Sequence, residues 1–320
     1  MSSAVAKVVV LAFSGAIAVV TTHVILSRYG VEAYAQYGLL ASLSALLPFT
    51  DLGMSVVVLN AVSTSTDVRR DALLRARLTS VLRVLLASAL VLVVLGSLVQ
   101  WSGGWPRLLG EGLDPGRGGD VALMCLAVFA VAMPFGVGQR ILIGLGRNHV
   151  QVLLSGLAAP LILLGTLGLL RLGPSAMAFV AVLPYVAIAV VAVLTFALAW
   201  RGISPQLGAA VRDVPRLRSV PGTPVMNLAW PSLVQLIAVP LALQSDRVLL
   251  SHLGTTLELA AYGLAAQLFG LVLQTINTAG ISLWPIFARA REDGRILAPY
   301  RASAAFAGAA GLVAGVLAAL

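Results

Sequence analysis

The chain has 320 residues, of which 59% are hydrophobic and only 10% are charged. Soluble domains carry about 25% charged residues, and so few charges could not cover the surface of a soluble protein. The composition therefore excludes an ordinary soluble domain. The apolar stretches are long and continuous, which favours membrane-spanning helices over a β-barrel with alternating strands of about ten residues.

The net charge of +9 is carried by basic residues between apolar stretches, and it predicts no nucleic-acid partner. The single cysteine, Cys125, rules out an internal disulfide. Three histidines, His23, His149 and His252, lie far apart in sequence and predict no metal site. No phosphate-binding loop of the form G-x-x-x-x-G-K-[ST] occurs, so we expect neither ATP hydrolysis nor a cofactor, and we predict a protein that is not an enzyme.

Nine apolar stretches reach the roughly 20 residues that a helix needs to cross a bilayer. The first lacks a small-residue cleavage site, and eight more follow it, so we expect a retained helix rather than a signal peptide. The chain therefore predicts an all-α polytopic membrane protein with about nine spanning helices. The predicted spans are 4–26, 35–59, 78–100, 120–144, 150–170, 175–199, 227–251, 259–286 and 301–320.

Positive charge sets the predicted direction of these helices. With a cytoplasmic N-terminus, 16 of the 21 lysine and arginine residues fall on the inner side and five on the outer side. This asymmetry predicts a multi-pass protein of the bacterial inner (plasma) membrane.

The polar connection at 200–226 contains four arginines and four prolines. It is predicted to be a cytoplasmic linker between an N-lobe at 1–199, with helices 1–6, and a partial C-lobe at 227–320, with helices 7–9. Because only three spans follow the linker, we expect a chain truncated by about three helices.

An internal repeat supports two lobes. Leu-Ser-Arg-Tyr-Gly30 is followed by Tyr37-Gly38, and Leu-Ser-His-Leu-Gly254 is followed by Tyr262-Gly263. The two copies are six predicted spans apart, and an even number of spans preserves their orientation. The repeat therefore predicts two lobes related by a pseudo-two-fold axis along the membrane normal.

Four sequence stretches resemble one transporter family. They are the two repeat copies, the second extended to Ser245-Asp246-Arg247, together with Asp51-Leu-Gly53 and Trp284-Pro285. Their order is similar to that in the polysaccharide and O-antigen flippase type of the multidrug/oligosaccharidyl-lipid/polysaccharide (MOP) superfamily.

The resemblance implies a V-shaped pair of six-helix bundles that works by alternating access. It implies translocation of a polyprenyl-pyrophosphate-linked oligosaccharide for surface polysaccharide biosynthesis. Coupling to protons or sodium ions stays open. Membrane lipids and the lipid-linked oligosaccharide are the implied partners, and polysaccharide polymerase machinery is a candidate partner.

Charged residues within spans cost roughly 2.5–3.5 kcal/mol each, so they are candidates for the translocation site. Arg247 could contact pyrophosphate, and Asp246 could take a proton or cation or orient the arginine. Both could instead form a structural pair near the interface. His23, the repeat partner of Arg247, could bind an anion or relay protons, or simply hydrogen-bond between helices.

Four further residues have weaker claims. Asp51 could serve as a gate or coupling site, or hydrogen-bond to backbone freed by Pro48. Arg28 and His252 are repeat partners that could line an exit vestibule or act as boundary charges. Arg140 could meet the entering headgroup or contribute only to topology. Polar residues that could face a sugar path are Gln235, Gln244, Gln267, Gln274 and Asn277.

Three other functions stay open. A drug or cation antiporter of the same superfamily would favour carboxylates in its cavity. A polysaccharide polymerase or glycosyltransferase should carry a large polar outer loop, and the predicted outer loops are short. An inactive fragment is the third alternative.

Overall fold

The structure is a computed structural model, and all regular structure in its described residues is helical. It describes 3–46, 51–65, 67–110, 112–173, 176, 178–220, 222–223, 225, 245–267, 269–270 and, beyond these, 230, 234, 238, 300–301, 304–305, 308 and 311. The helices are α1 Ser3–Arg28, α2 Val31–Leu46, α3 Met54–Ser63, α4 Ala72–Trp101, α5 Trp105–Leu109, α6 Gly118–Ala132, α7 Val137–Gly144, α8 Asn148–Ser155, α9 Ala158–Leu172, α10 Leu183–Gly202, α11 Gln206–Asp213, α12 at 245–253 and α13 at 256–267.

Five helical segments of the described residues are long and apolar enough to cross a membrane. They match the predicted first, third, fourth, fifth and sixth spans within a few residues. Short 3-10 turns at Met133–Gly136 and Ala178–Val182 lie within two of them. The five segments are Val9–Arg28, Ala72–Trp101, Gly118–Gly144, Asn148–Leu172 and Ala178–Gly202.

The predicted second span, one helix over 35–59 with a kink at Pro48, is wrong. Helix α2 ends at Leu46, and α3 begins only at Met54. Between them Leu52 and Gly53 have φ angles of 50° and 75°, a left-handed conformation that an α-helix cannot contain. With ten residues, α3 is about 15 Å long, too short to cross the hydrocarbon core. The apolar residues on the two sides of this turn together reach the length of one span, so hydropathy alone predicts a single helix.

Two apolar cores lie at opposite ends of the long helices. The α5-side core contains Leu39 of α2, Trp105 of α5, Val121 of α6 and Tyr185 at the start of α10. The hydroxyl of Tyr185 donates a hydrogen bond to the carbonyl of Leu40, which fastens α10 to α2. The C-terminal part of α4 also packs into this core.

The α11-side core is built from the other ends of the same long helices. It contains Met54 of α3, Leu78 of α4, Ile141 of α7, Ile203 after α10 and Leu207 of α11. Helices α4 and α10 therefore connect the two cores. The predicted linker at 200–226 contributes to this core through α11, which packs against α4.

The second half of the chain is described mainly through α12 and α13. Their turn at Gly254 corresponds to the turn at Gly30 between α1 and α2, so both copies of the repeat form helical hairpins. The rest of predicted spans seven and eight, nearly all of span nine, the Trp284-Pro285 motif and Pro48 lie outside the described residues.

Candidate functional site

The two repeated hairpins meet around a polar cavity of about 220 Å³. Helices α1, α2 and α9 supply one part of its wall, and α12 and α13 supply another. The polar side chains that line it are Thr21, Thr22, Tyr34, Tyr37, Arg247 and Gln267. Polar groups are costly in a membrane bundle, so their convergence on one cavity marks a candidate functional site.

Arg247 is half-buried and reaches from α12 to α2. Its Nη1 donates a hydrogen bond to the carbonyl of Gly38 at 3.0 Å. Within the part of the chain that the structure describes, no carboxylate lies within 4.0 Å of its guanidinium group. A guanidinium has five N–H donors, and among the described residues only the Gly38 carbonyl accepts from this one, so a cation with donors left for a ligand lines the cavity.

Gln267 connects the two hairpins through its side-chain oxygen. Oε1 accepts a hydrogen bond from Thr22 Oγ1 at 3.0 Å and a longer one from the Tyr34 hydroxyl at 3.5 Å. The ring of Tyr34 stacks on that of Tyr37, with centroids 6.4 Å apart. These contacts fix the orientation of the amide, so that Nε2 is its donor end.

The repeated Tyr-Gly pairs lie at or beside this cavity. Gly38 and Gly263, which correspond in the repeat, both line it. A Cβ atom on Gly263 would lie 3.6 Å from the ring of Tyr34, so the hairpins are in van der Waals contact there. The hydroxyl of Tyr262 points elsewhere and donates to Asp246 Oδ2 at 3.2 Å.

Most of the sequence-predicted site residues lie outside the cavity wall. Asp246 is exposed and bonded to Tyr262, although its neighbour Arg247 lines the cavity. His23 and Arg28 are exposed on α1 and do not belong to the lining. Of the predicted polar path, Gln267 lines the cavity, whereas Gln235, Gln244, Gln274 and Asn277 lie outside the described residues.

Asp51 and Arg140 come together at the start of α3, through Ser55. The Asp51 carboxylate accepts the backbone N–H of Ser55 at 3.0 Å, and Arg140 Nε donates to Ser55 Oγ at 2.9 Å. Neither residue lines the cavity. The carboxylate satisfies an N–H group in the first turn of α3, and the arginine ties α7 to the same turn.

His252 and Ser251 join α12 to α5. The two ring nitrogens of His252 bond to the carbonyls of Val248, at 2.8 Å, and Arg107, at 2.9 Å. Carbonyls only accept, so the protonated ring, in which both nitrogens donate, satisfies both contacts and is favoured by them. The Val248 carbonyl, and then that of Arg107, raises the pKa of His252 above its ordinary value of 6.5. The Ser251 hydroxyl donates to the carbonyl of Leu109.

Gly110 allows this contact to be close. Its φ of 76° is in the left-handed region, and a Cβ atom there would lie 2.3 Å from the backbone oxygen of Ser251. Only glycine fits without a shift of α5 or α12. The helix that carries Arg247 is therefore anchored at its far end to the first half of the chain.

Sequence reasoning missed Thr21, Thr22 and Tyr34, and it assigned Tyr37 no role. It selected His23 because that residue matches Arg247 in the repeat, but successive residues on a helix point about 100° apart. The buried Thr21 and half-buried Thr22 face the cavity, while His23 is exposed. An i, i+3 pairing of Tyr34 and Tyr37 on one helix face was the available signal.

The spanning helices and the polar cavity between them define an α-helical, multi-pass membrane protein. In comparison with known proteins, the chain matches no family model, no curated protein and no solved structure.

Proposed function

We propose that this protein flips a polyprenyl-pyrophosphate-linked oligosaccharide across the bacterial inner membrane for surface polysaccharide biosynthesis. In this proposal the N-terminus is cytoplasmic, and the N-lobe and partial C-lobe are related by a pseudo-two-fold axis along the membrane normal. The two lobes alternate in opening the cavity between them.

The observation that carries the proposal is Arg247 in the cavity between the two hairpins. A cation inside a membrane bundle is costly unless it is paired, and it is by default a candidate for function. Arg247 has one backbone acceptor and no carboxylate within 4.0 Å among the described residues. Guanidinium groups bind phosphate oxygens through paired N–H bonds, so a pyrophosphate is a suitable missing partner.

The neutral polar groups of the cavity suit the sugar part of such a substrate. Gln267, Thr22 and Tyr34 offer amide and hydroxyl groups, which match sugar hydroxyls as donors and acceptors. The cavity of about 220 Å³ is smaller than the roughly 300–1,000 Å³ typical of ligand pockets. An oligosaccharide would therefore enter only after the hairpins separate, as alternating access requires.

The chemistry of the lining also bears on the antiporter alternative. A cationic drug would be repelled by Arg247 and would need a carboxylate in the cavity. The lining residues that the structure describes include this arginine and no acidic side chain. The lining therefore favours an anionic substrate over a cationic one.

The test is complementation of a bacterium that lacks its O-antigen flippase, combined with binding of polyprenyl pyrophosphate to the purified protein in nanodiscs. We expect Arg247→Ala to reduce affinity at least about tenfold, as for a lost charged hydrogen bond of about 1.5–3 kcal/mol, and Arg247→Lys to restore part of it. Arg171→Ala, at an exposed helix end, is the matched control. Equal binding and equal surface polysaccharide in Arg247→Ala and the control would refute the proposal.

A further inference from the structure

A second cavity, of about 420 Å³, lies on the α11 side of the molecule. It is a groove between α4, the turn at Met133–Gly136, the end of α10 and α11. All of its lining residues are apolar, and they include Leu82, Leu86, Phe135, Trp200, Val211 and Pro215. The groove shares no lining residue with the polar cavity that contains Arg247.

The groove opens on the outer surface of the bundle. Leu86, Trp200 and Val211 are exposed, at 45%, 39% and 36% of their surface. Trp200 lies two residues before the end of the spanning segment at Gly202. Tryptophan is typical of the boundary between hydrocarbon and headgroups, so the groove begins in hydrocarbon and ends at that boundary.

At the end of the groove that lies at the membrane boundary, three of the lining residues are each followed in sequence by an exposed arginine; we call these arginines the rim. Arg201, Arg212 and Arg216 directly follow the lining residues Trp200, Val211 and Pro215 in sequence. All three are exposed, as is Arg218. Basic residues at a membrane surface attract anionic headgroups, and basic pockets between spanning helices bind them specifically.

The one acidic residue between 200 and 220 pairs mainly with Arg75 and only at the edge of ion-pair distance with one rim arginine. Asp213 is 2% exposed and points inward, where it pairs with Arg75 Nη2 at 2.5 Å. Arg75 Nε donates a second bond to the same oxygen at 2.7 Å. Arg216 lies 3.9 Å from the other carboxylate oxygen, with its side chain 64% exposed.

The rim is also held in place before any ligand binds. Arg83 of α4 donates hydrogen bonds to the carbonyls of Asp213, at 2.8 Å, Val214, at 3.0 Å, and Val220, at 2.9 Å. A fourth bond reaches the carbonyl of Arg216 at 3.2 Å. These bonds fix the backbone that carries Arg216, which reduces the ordering cost of binding.

We propose that this groove binds one anionic phospholipid, with an acyl chain along Leu86 and Trp200 and the phosphate at Arg212 and Arg216. Apolar walls alone would accept any lipid of the surrounding bilayer. The three arginines that follow lining residues at one end, Arg201, Arg212 and Arg216, select a lipid with a net negative headgroup. This site is independent of the proposed transport function, because it uses other residues on another surface.

Trp200 provides the readout. The other four tryptophans are replaced by phenylalanine, and the protein is placed in phosphatidylcholine nanodiscs that contain brominated phosphatidylglycerol or, separately, brominated phosphatidylcholine. We expect half-maximal quenching of Trp200 at about tenfold lower mole fraction of the brominated anionic lipid. Arg212→Gln/Arg216→Gln should abolish this preference, and Arg171→Gln should keep it. Val211→Phe, which fills the groove, should weaken quenching by both lipids.

Equal quenching by the two lipids in the parent protein, or an unchanged preference in Arg212→Gln/Arg216→Gln, would overturn the proposal. If the single-tryptophan protein does not fold, native mass spectrometry of the otherwise unaltered chain gives the same decision. We expect it to retain one phosphatidylglycerol that the double glutamine variant loses. Retention in both, or in neither, would refute the site.

Discussion

Arg83 and Arg247 each connect one helix to a distant part of the chain, but they differ in how many hydrogen bonds their guanidinium groups donate. Arg83 uses all three of its nitrogens on four carbonyls between 213 and 220. Within the part of the chain that the structure describes, Arg247 forms one hydrogen bond, to Gly38, beside an open polar cavity. A guanidinium whose donors are spent on backbone is a structural clamp, whereas one with spare donors beside a cavity is available to a ligand.

The largest effect is expected when the clamp is removed. Arg83→Met leaves four carbonyls without their donor while keeping much of the side-chain volume. We expect the free energy of unfolding to fall by about 3 kcal/mol, because hydrogen bonds to charged groups contribute about 1.5–3 kcal/mol each and are not additive. Thermal unfolding in detergent, with trypsin cleavage in 212–218 as a second readout, measures this.

Arg70→Met is the matched control for the clamp. Its side chain is 90% exposed, and its ion pair with Asp67 is 3.9 Å long. Exposed pairs contribute about 0–1 kcal/mol. Equal stability of Arg83→Met and Arg70→Met would mean that the clamp does not hold the linker.

A smaller loss is expected from Asp213→Asn. The change leaves Arg75 without its carboxylate at the buried contact between α4 and α11. Breaking a buried pair costs about 3–5 kcal/mol, and the 42% exposure of the Arg75 side chain lowers our expectation to about 2 kcal/mol. A double-mutant cycle with Arg75→Met should give a coupling energy of at least about 1 kcal/mol. Additive effects would show that the two charges do not interact.

Raising the pH should weaken the contact of α12 with α5 through His252, but not the contacts of Arg83, which involve no histidine. The folded-state pKa of His252 is raised, so its contribution to stability is complete below about 6.5 and is lost as the pH rises through the higher folded value. We expect Tm to fall by about 1–2 °C between pH 6 and 8, since solvent screens this exposed ring. His252→Gln should remove this pH dependence of Tm. An equal dependence in the variant would mean that another group causes it.

The smallest effect on stability is expected at Arg247, and it tests the difference between Arg247 and Arg83 most directly. Arg247→Met should change the free energy of unfolding by no more than about 0.5 kcal/mol, because the variant loses one backbone bond but also removes a charge that no described carboxylate pairs with. The same variant should lose polyprenyl pyrophosphate binding. A loss of stability comparable to that of Arg83→Met would identify Arg247 as a second clamp.

Much of the first half could be predicted from the sequence. Five of its six predicted spans agree with the structure within a few residues, because a lipid environment requires long apolar helices. The second span failed at Leu52 and Gly53, because the left-handed turn there separates two apolar helices that together have the length of one span. The repeat drew attention to Arg247, but not to the threonines that share its cavity, because helix rotation is not visible in a hydropathy pattern.

The arginines show where sequence reasoning ends. The spacing of charges and apolar stretches is a one-dimensional property, and it was enough to predict that Arg75, Arg83 and Arg247 are charges of a multi-pass helical membrane protein. The folded contacts were needed to see that Arg75 and Arg83 hold the linker while Arg247 lines a cavity. The acceptors of Arg83 lie at least 130 residues away in the chain, and Gly38 lies 209 residues from Arg247. Whether an arginine is satisfied depends on acceptors that folding brings to it.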